Sequence, residues 1–140
     1  MRPHQVQAEW QRARKALQAA ELLQQNGLVE DAISRAYYAT LHAAKAALLV
    51  HDAIATSHAA VRRLFGQVLV MAEGVEREWA QLLARSYDQR GAAEYNVDFA
   101  VDEEAVDRLV RDAQRFVERM AIYMIAKGIQ LESTDDGACH

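Results

Sequence analysis

An all-α fold, an up-and-down bundle of about five helices, is what this sequence predicts. Three observations carry that reading. Apolar residues recur at spacings of three and four over long segments, and no convincing run alternates at two. Proline occurs once, at position 3, so almost no segment is barred from a helix. Gly27, Gly74 and Gly128 fall where the periodic segments end, as helix stops do.

The first helix runs from about Val6 to Gln25. It sets Trp10, Ala13, Leu17, Ala20 and Leu23 or Gln24 on one side, and Asn26-Gly27 stops it. The second runs from about Leu28 to His51. Its stripe is Ile33, Tyr37, Leu41, Ala44 and Leu48, widened by alanines, which marks the central helix of a bundle. Thr56-Ser57 supplies the N-cap of a third helix from His58 to Ala72. Its core residues are Val61, Leu64, Phe65, Val68 and Ala72.

A fourth helix, Val75 to Arg90, buries Val75, Trp79, Leu82, Leu83 and Ser86. Gly91 to Val101 reads as the longest irregular stretch. Asp102, followed by Glu103 and Glu104, opens the last helix with the negative charge that a helix N-terminus favours. That helix presents Leu109, Ala113, Phe116, Met120 and Tyr123 and ends at Gly128. Residues 1–129 are expected to form one domain and the polar residues 130–140 a disordered tail.

The chain of 140 residues suffices for one domain with a real core. No run of about twenty apolar residues offers a membrane span. Polar residues follow Met1-Arg2-Pro3, so no secretory leader is read, and the single Cys139 has no partner for an internal disulfide. A cytoplasmic location is expected. Net charge is −4, with 11 Lys/Arg against 9 Asp/Glu in residues 1–93 and 5 against 11 in residues 94–140. Such a balance excludes binding of duplex nucleic acid by bulk charge and leaves room for a local basic cleft.

Two clusters carry candidate chemistry. The first is Ser34-Arg35-Ala36-Tyr37-Tyr38-Ala39-Thr40-Leu41-His42. At about 100° per residue, Arg35, Tyr38 and His42 fall within roughly 60° on one helix face. Two readings stand open. The face lines a cleft for phosphate or a partner carboxylate, or its groups are satisfied partners of neighbouring side chains, with His42 on a carboxylate of another helix. The second cluster is Ser86-Tyr87-Asp88-Gln89-Arg90, continued by Glu94-Tyr95-Asn96. Arg90 either answers the dipole at a helix C-terminus or, with Tyr95 and Asn96, presents donors at a groove. His58 with Arg62 and Arg63 forms a small basic patch, commonly just solvated surface. Metal binding is not supported, since neither Glu-x-x-His nor His-Glu-x-x-His occurs. No cofactor is expected. Ser34, Ser57 and Ser86 each have a structural explanation as helix or cap residues, so no serine nucleophile is nominated.

Taken together, Ala32-Ile33-Ser34-Arg35-Ala36-Tyr37-Tyr38-Ala39-x-Leu41-His42, Ser57-His58, Arg63-Leu64-Phe65-Gly66 and Tyr87-Asp88-x-Arg90 with Glu94-Tyr95 resemble the HEPN domains. The similarity is to the small stand-alone members of bacteria and archaea and covers roughly residues 5–127. It implies a bundle of four or five helices, often a homodimer. It also implies a minimal nucleotidyltransferase as partner in a toxin–antitoxin pair. Many HEPN domains are metal-independent ribonucleases whose motif is an Arg, four to six residues, then a His. In that motif His and Arg act on the 2′-hydroxyl and the scissile phosphate of RNA.

This sequence departs from that motif. Arg90 is in place, but Tyr95 and Asn96 stand where the His is due. Asn is no general base, and a Tyr of pKa near 10 is a poor one at pH 7. The resemblance therefore favours a binding module over an enzyme. That module binds a nucleotide, its partner or both through Arg35, Tyr38, His42, Arg90 and Tyr95. The alternative is a ribonuclease toxin in which Arg90 works with a substitute such as Tyr95 or His42. In some relatives the nucleotidyltransferase adenylylates a Tyr near the motif; Tyr95 is the only Tyr in this loop.

Overall fold

The computed structural model describes residues 2–95 and 102–132, with backbone only at positions 94 and 95. The described residues form five helices and no strand: α1 Pro3–Gln25, α2 Val29–Leu49, α3 His58–Leu64, α4 Arg77–Tyr95 and α5 Glu103–Ala126. A π-helical segment, Phe65–Ala72, continues α3 without a break. The expected all-α bundle is the observed one.

Helix ends follow local chemistry. Pro3 sits in the first turn of α1, where a missing N–H leaves nothing unsatisfied. Gly27 takes a φ of +76°, a left-handed conformation that ends α1 and turns the chain straight back into α2. Ser57 Oγ accepts from the Ala60 N–H at 3.0 Å, and Asp102 Oδ1 accepts from the Ala105 N–H at 2.6 Å. Both are N-caps, each closing an orphan donor of the first turn. Ser57→Ala is expected to lower stability by about 1 kcal/mol. Urea unfolding checks it, and an unchanged midpoint would mean that water replaces the cap fully.

The alanines explain why α2 is central. Ala39, Ala43, Ala44, Ala46 and Ala47 are wholly or almost wholly buried, so neighbouring backbones approach α2 closely. It packs against α1, α3, α4 and α5. Two apolar clusters result. The larger gathers Trp10, Tyr37, Leu48, Phe65, Phe116 and Met120. The smaller lies near the α1–α2 turn and gathers Ile33, Ala36, Val106 and Val110 with Ala20.

Two expectations need correction. Gly91 does not end α4, which runs on through Ala92 and Ala93 to Tyr95. A glycine inside a helix costs only about 1 kcal/mol, which two following alanines readily offset. Ala72 is exposed, and Leu69 is the buried residue instead. The π-helical winding after Phe65 is wider than 3.6 residues per turn, so the inward face drifts from the α-helical pattern. Beyond α5, Gln7 Nε2 donates to the Gln130 carbonyl at 2.6 Å and Gln11 Nε2 to the Glu132 carbonyl at 3.1 Å. These bonds hold the chain after α5 along α1.

Candidate functional site

The two sequence clusters meet. Helix α4 crosses α2 so that Arg90 Nη2 donates to the Tyr38 hydroxyl at 3.1 Å. The Arg90 guanidinium lies 5.3 Å from the Tyr38 ring centre and 5.7 Å from that of Tyr37. Arg35 approaches Tyr38 as well, at 5.6 Å. Two cations thus share one phenol ring, an arrangement favoured by the negative face of the ring.

Behind this pair, the Tyr37 hydroxyl is hydrogen-bonded to Nδ1 of His58. Tyr87 completes the group, 5.7 Å from Tyr37 and 5.3 Å from His58 between ring centres. Arg62 lies 5.8 Å from the Tyr87 ring. The motif residues of α2, α3 and α4 therefore form one aromatic–cationic cluster. Burial raises the pKa of Tyr37 far above its ordinary value, against the pull of Arg90, so the phenol keeps its proton. Burial also lowers the pKa of His58, helped by the charges of Arg90 and Lys45, so its imidazole is neutral at pH 7.

His42 is tied the other way, to α1. Its Nδ1–H donates to Glu9 Oε1 at 2.6 Å, and its ring stacks 6.3 Å from Tyr38 at 26°. Glu9 is buried, and its second oxygen meets Lys45 Nζ at 3.5 Å and Arg12 at 3.6 Å. Burial alone would push the Glu9 carboxyl up. The His42 hydrogen bond and the charges of Lys45, His42 and Arg12 outweigh it, and the pKa falls below its ordinary value. Glu9 is thus an anion that fixes the ring of His42 and leaves Nε2 of that ring for other partners.

An open cleft of about 550 Å³ runs between α1 and α2. Arg35, Tyr38 and His42 line it from α2; Arg12, Lys15, Ala16 and Ala19 line it from α1. The face predicted on α2 does line a cleft, and His42 is also satisfied by a carboxylate on another helix. Tyr95 ends α4, but its side chain and all of Asn96 lie outside the described residues. Among the described residues no group of three metal-ligating side chains gathers, and no helix is long and apolar enough to cross a membrane.

Three contributors escaped the sequence reading: Glu9, Arg12 and Lys15. Glu9 left a signal. Val6, Glu9, Ala13, Ala16 and Ala20 repeat at three and four, so a carboxylate interrupts an otherwise apolar face. A charge in that register requires a partner across the seam. Arg12 and Lys15 left none, because exposed cations on a first helix are ordinary.

A family profile described as HEPN domain matches residues 6–123. A protein of Methanocaldococcus jannaschii named "Putative toxin MJ0605" is 36% identical over 83% of this chain and 86% of its own length. A second protein of that archaeon, named "Putative toxin MJ0142", is 25% identical over 90% of this chain and 86% of its own. A UPF0332 protein of Pyrococcus horikoshii is 40% identical over 63% of each chain.

Proposed function

This chain belongs to the HEPN domain family, and on that premise we propose that it is a toxin-type HEPN module that binds rather than cuts. Its ligand is a nucleotide held on the α2–α4 face by Arg35, Tyr38, His42 and Arg90. Its partner is a minimal nucleotidyltransferase, and the working form is a homodimer. The toxin names of two relatives support the class of system.

One observation carries the binding reading. Arg90, the arginine of the family's nuclease motif, lies against Tyr37 and Tyr38, and the sequence holds no His between positions 59 and 139. Without the imidazole of that motif, Arg90 has the chemistry to grip a phosphate and not to move a proton. His58 on α3 and His42 on α2 stand outside the spacing of the motif. His58 is engaged with Tyr37 and His42 with Glu9.

Arg90→Ala and Arg35→Ala are each expected to weaken nucleotide binding about tenfold, the loss of one charge-assisted hydrogen bond. Calorimetric titration measures it. The same proteins incubated with RNA in EDTA should leave the RNA intact. Cleavage by the wild type that vanishes in Arg90→Ala would establish the ribonuclease instead. Failure of micromolar nucleotide and of a co-expressed nucleotidyltransferase to bind would remove the binding module.

A further inference from the structure

We infer that the cleft between α1 and α2 is a polyphosphate site, in which Arg12 and Lys15 of α1 face Arg35 and His42 of α2 along a chain of phosphates. This deepens the nucleotide reading above and rests on it. It assigns the recognition to the phosphate chain, and it brings in two residues of a helix outside the motif clusters.

Charge makes the first argument. Three cations and an imidazole line the cleft, and no carboxylate does. Among the described residues, neither Lys15 nor Arg35 has a carboxylate within ion-pair distance, and Arg12 has only the 3.6 Å approach to Glu9. Glu9 itself lies in the neighbouring cavity, beside Lys45 and Leu49. Its charge is spent on His42 and Lys45. Cations gathered in a cleft repel one another and raise the local concentration of anions.

Shape makes the second. The turn at Gly27 folds α2 back along α1, so Arg12 falls toward the His42 end of the cleft and Ala19 toward the Arg35 end. Arg35 and His42 are seven residues apart, about 10 Å along the helix. The cations therefore form a row and not a point. A single phosphate would meet one end of that row, whereas a linear polyphosphate meets all of it. The volume of about 550 Å³ falls in the range of small-molecule sites. Ala16 and Ala19 keep the α1 wall low, which leaves room above the helix surface for the chain of phosphates.

The Tyr38 ring stacks on His42 and is approached by both Arg35 and Arg90, at 5.6 and 5.3 Å, so it joins the cleft to the α4 side. A nucleoside triphosphate would lay its terminal phosphates along α1 and present its α-phosphate to Arg90, with the nucleoside on the α4 side. Inorganic polyphosphate would fill the first half alone.

The test is calorimetric titration of the full chain at low salt with three probes: inorganic tripolyphosphate, adenosine triphosphate and adenosine. The expected result is binding of the first two and not of adenosine. Arg12→Ala/Lys15→Ala should weaken tripolyphosphate by more than tenfold. Arg77→Ala/Arg85→Ala removes the same charge elsewhere on the exposed surface and should leave it unchanged. Arg90→Ala should weaken adenosine triphosphate and spare tripolyphosphate. Adenosine triphosphate binding without tripolyphosphate binding would overturn the polyphosphate site and keep the nucleotide reading. Equal losses in both double variants would overturn it as mere bulk charge. Binding of none of the probes would remove both readings.

Discussion

Phe116→Ala is expected to lower the unfolding free energy by about 4 kcal/mol, the largest loss of any single truncation considered for this chain. Phe116 on α5 is fully buried. Its ring lies 5.7 Å from that of Phe65 and 6.1 Å from that of Trp79, edge-on to the latter. It is thus in contact with a ring of the π-helical segment and with a ring of α4. The rest of the core is rich in alanine, which has no atoms with which to fill a void. The cavity should therefore stay open, and the loss should sit in the middle of the range for phenylalanine. Urea unfolding should show a lower midpoint at unchanged slope, with a melting temperature lower by roughly 15 °C. A loss under about 1 kcal/mol would mean that α5 slides inward and that the core is not held by this ring.

Glu9→Ala is expected to cost about 2 kcal/mol. The carboxylate is the common counter-ion of His42 and Lys45 across the α1–α2 seam and of Arg12 one turn along α1. A wholly buried pair broken on one side loses about 3–5 kcal/mol; here Lys45 and His42 both retain some contact with water, which reduces the figure. The pH dependence follows from the lowered pKa. Because the folded value lies below the ordinary 4.5, this contribution is complete above that pH. It fades as pH falls through the folded value. Wild type should therefore lose stability on acidification more steeply than Glu9→Gln over that interval. Parallel curves for the two proteins would show that Glu9 does not titrate with folding.

The helices were legible because periodicity is a local property. The stripes on α1, α2 and α5 needed nothing beyond the spacing of apolar residues, and Ser57 and Asp102 announced their helices by type alone. The end of α4 was not legible, because Gly91 carries a real but small penalty that Ala92 and Ala93 outweigh. The inward turn of Leu69 was hidden by a π-helical winding that no single residue signals.

The site divides in the same way. Arg35, Tyr38 and His42 were placed on one face by arithmetic. That Arg90 should lie on Tyr38, or His58 on Tyr37, is set by how α3 and α4 cross α2, and crossing angles are tertiary facts. Glu9 lies between these cases. Its register marked it as buried, but its partners across the seam, His42 and Lys45, sit more than thirty residues away.

The alanine seam of α2 has a further consequence, which concerns entropy. Alanine has no side-chain rotamers to lose on folding, whereas long apolar residues each forfeit some freedom. A seam made of methyl groups is therefore inexpensive to order and, once formed, has no alternative packing to explore. The separation of α1 and α2 is set by small buried side chains, Ala13 and Ala16 on α1 among them. A ligand entering between them meets walls already in place. Only the tips of Arg12, Lys15 and Arg35 remain to be immobilised, and association forfeits correspondingly little affinity to ordering.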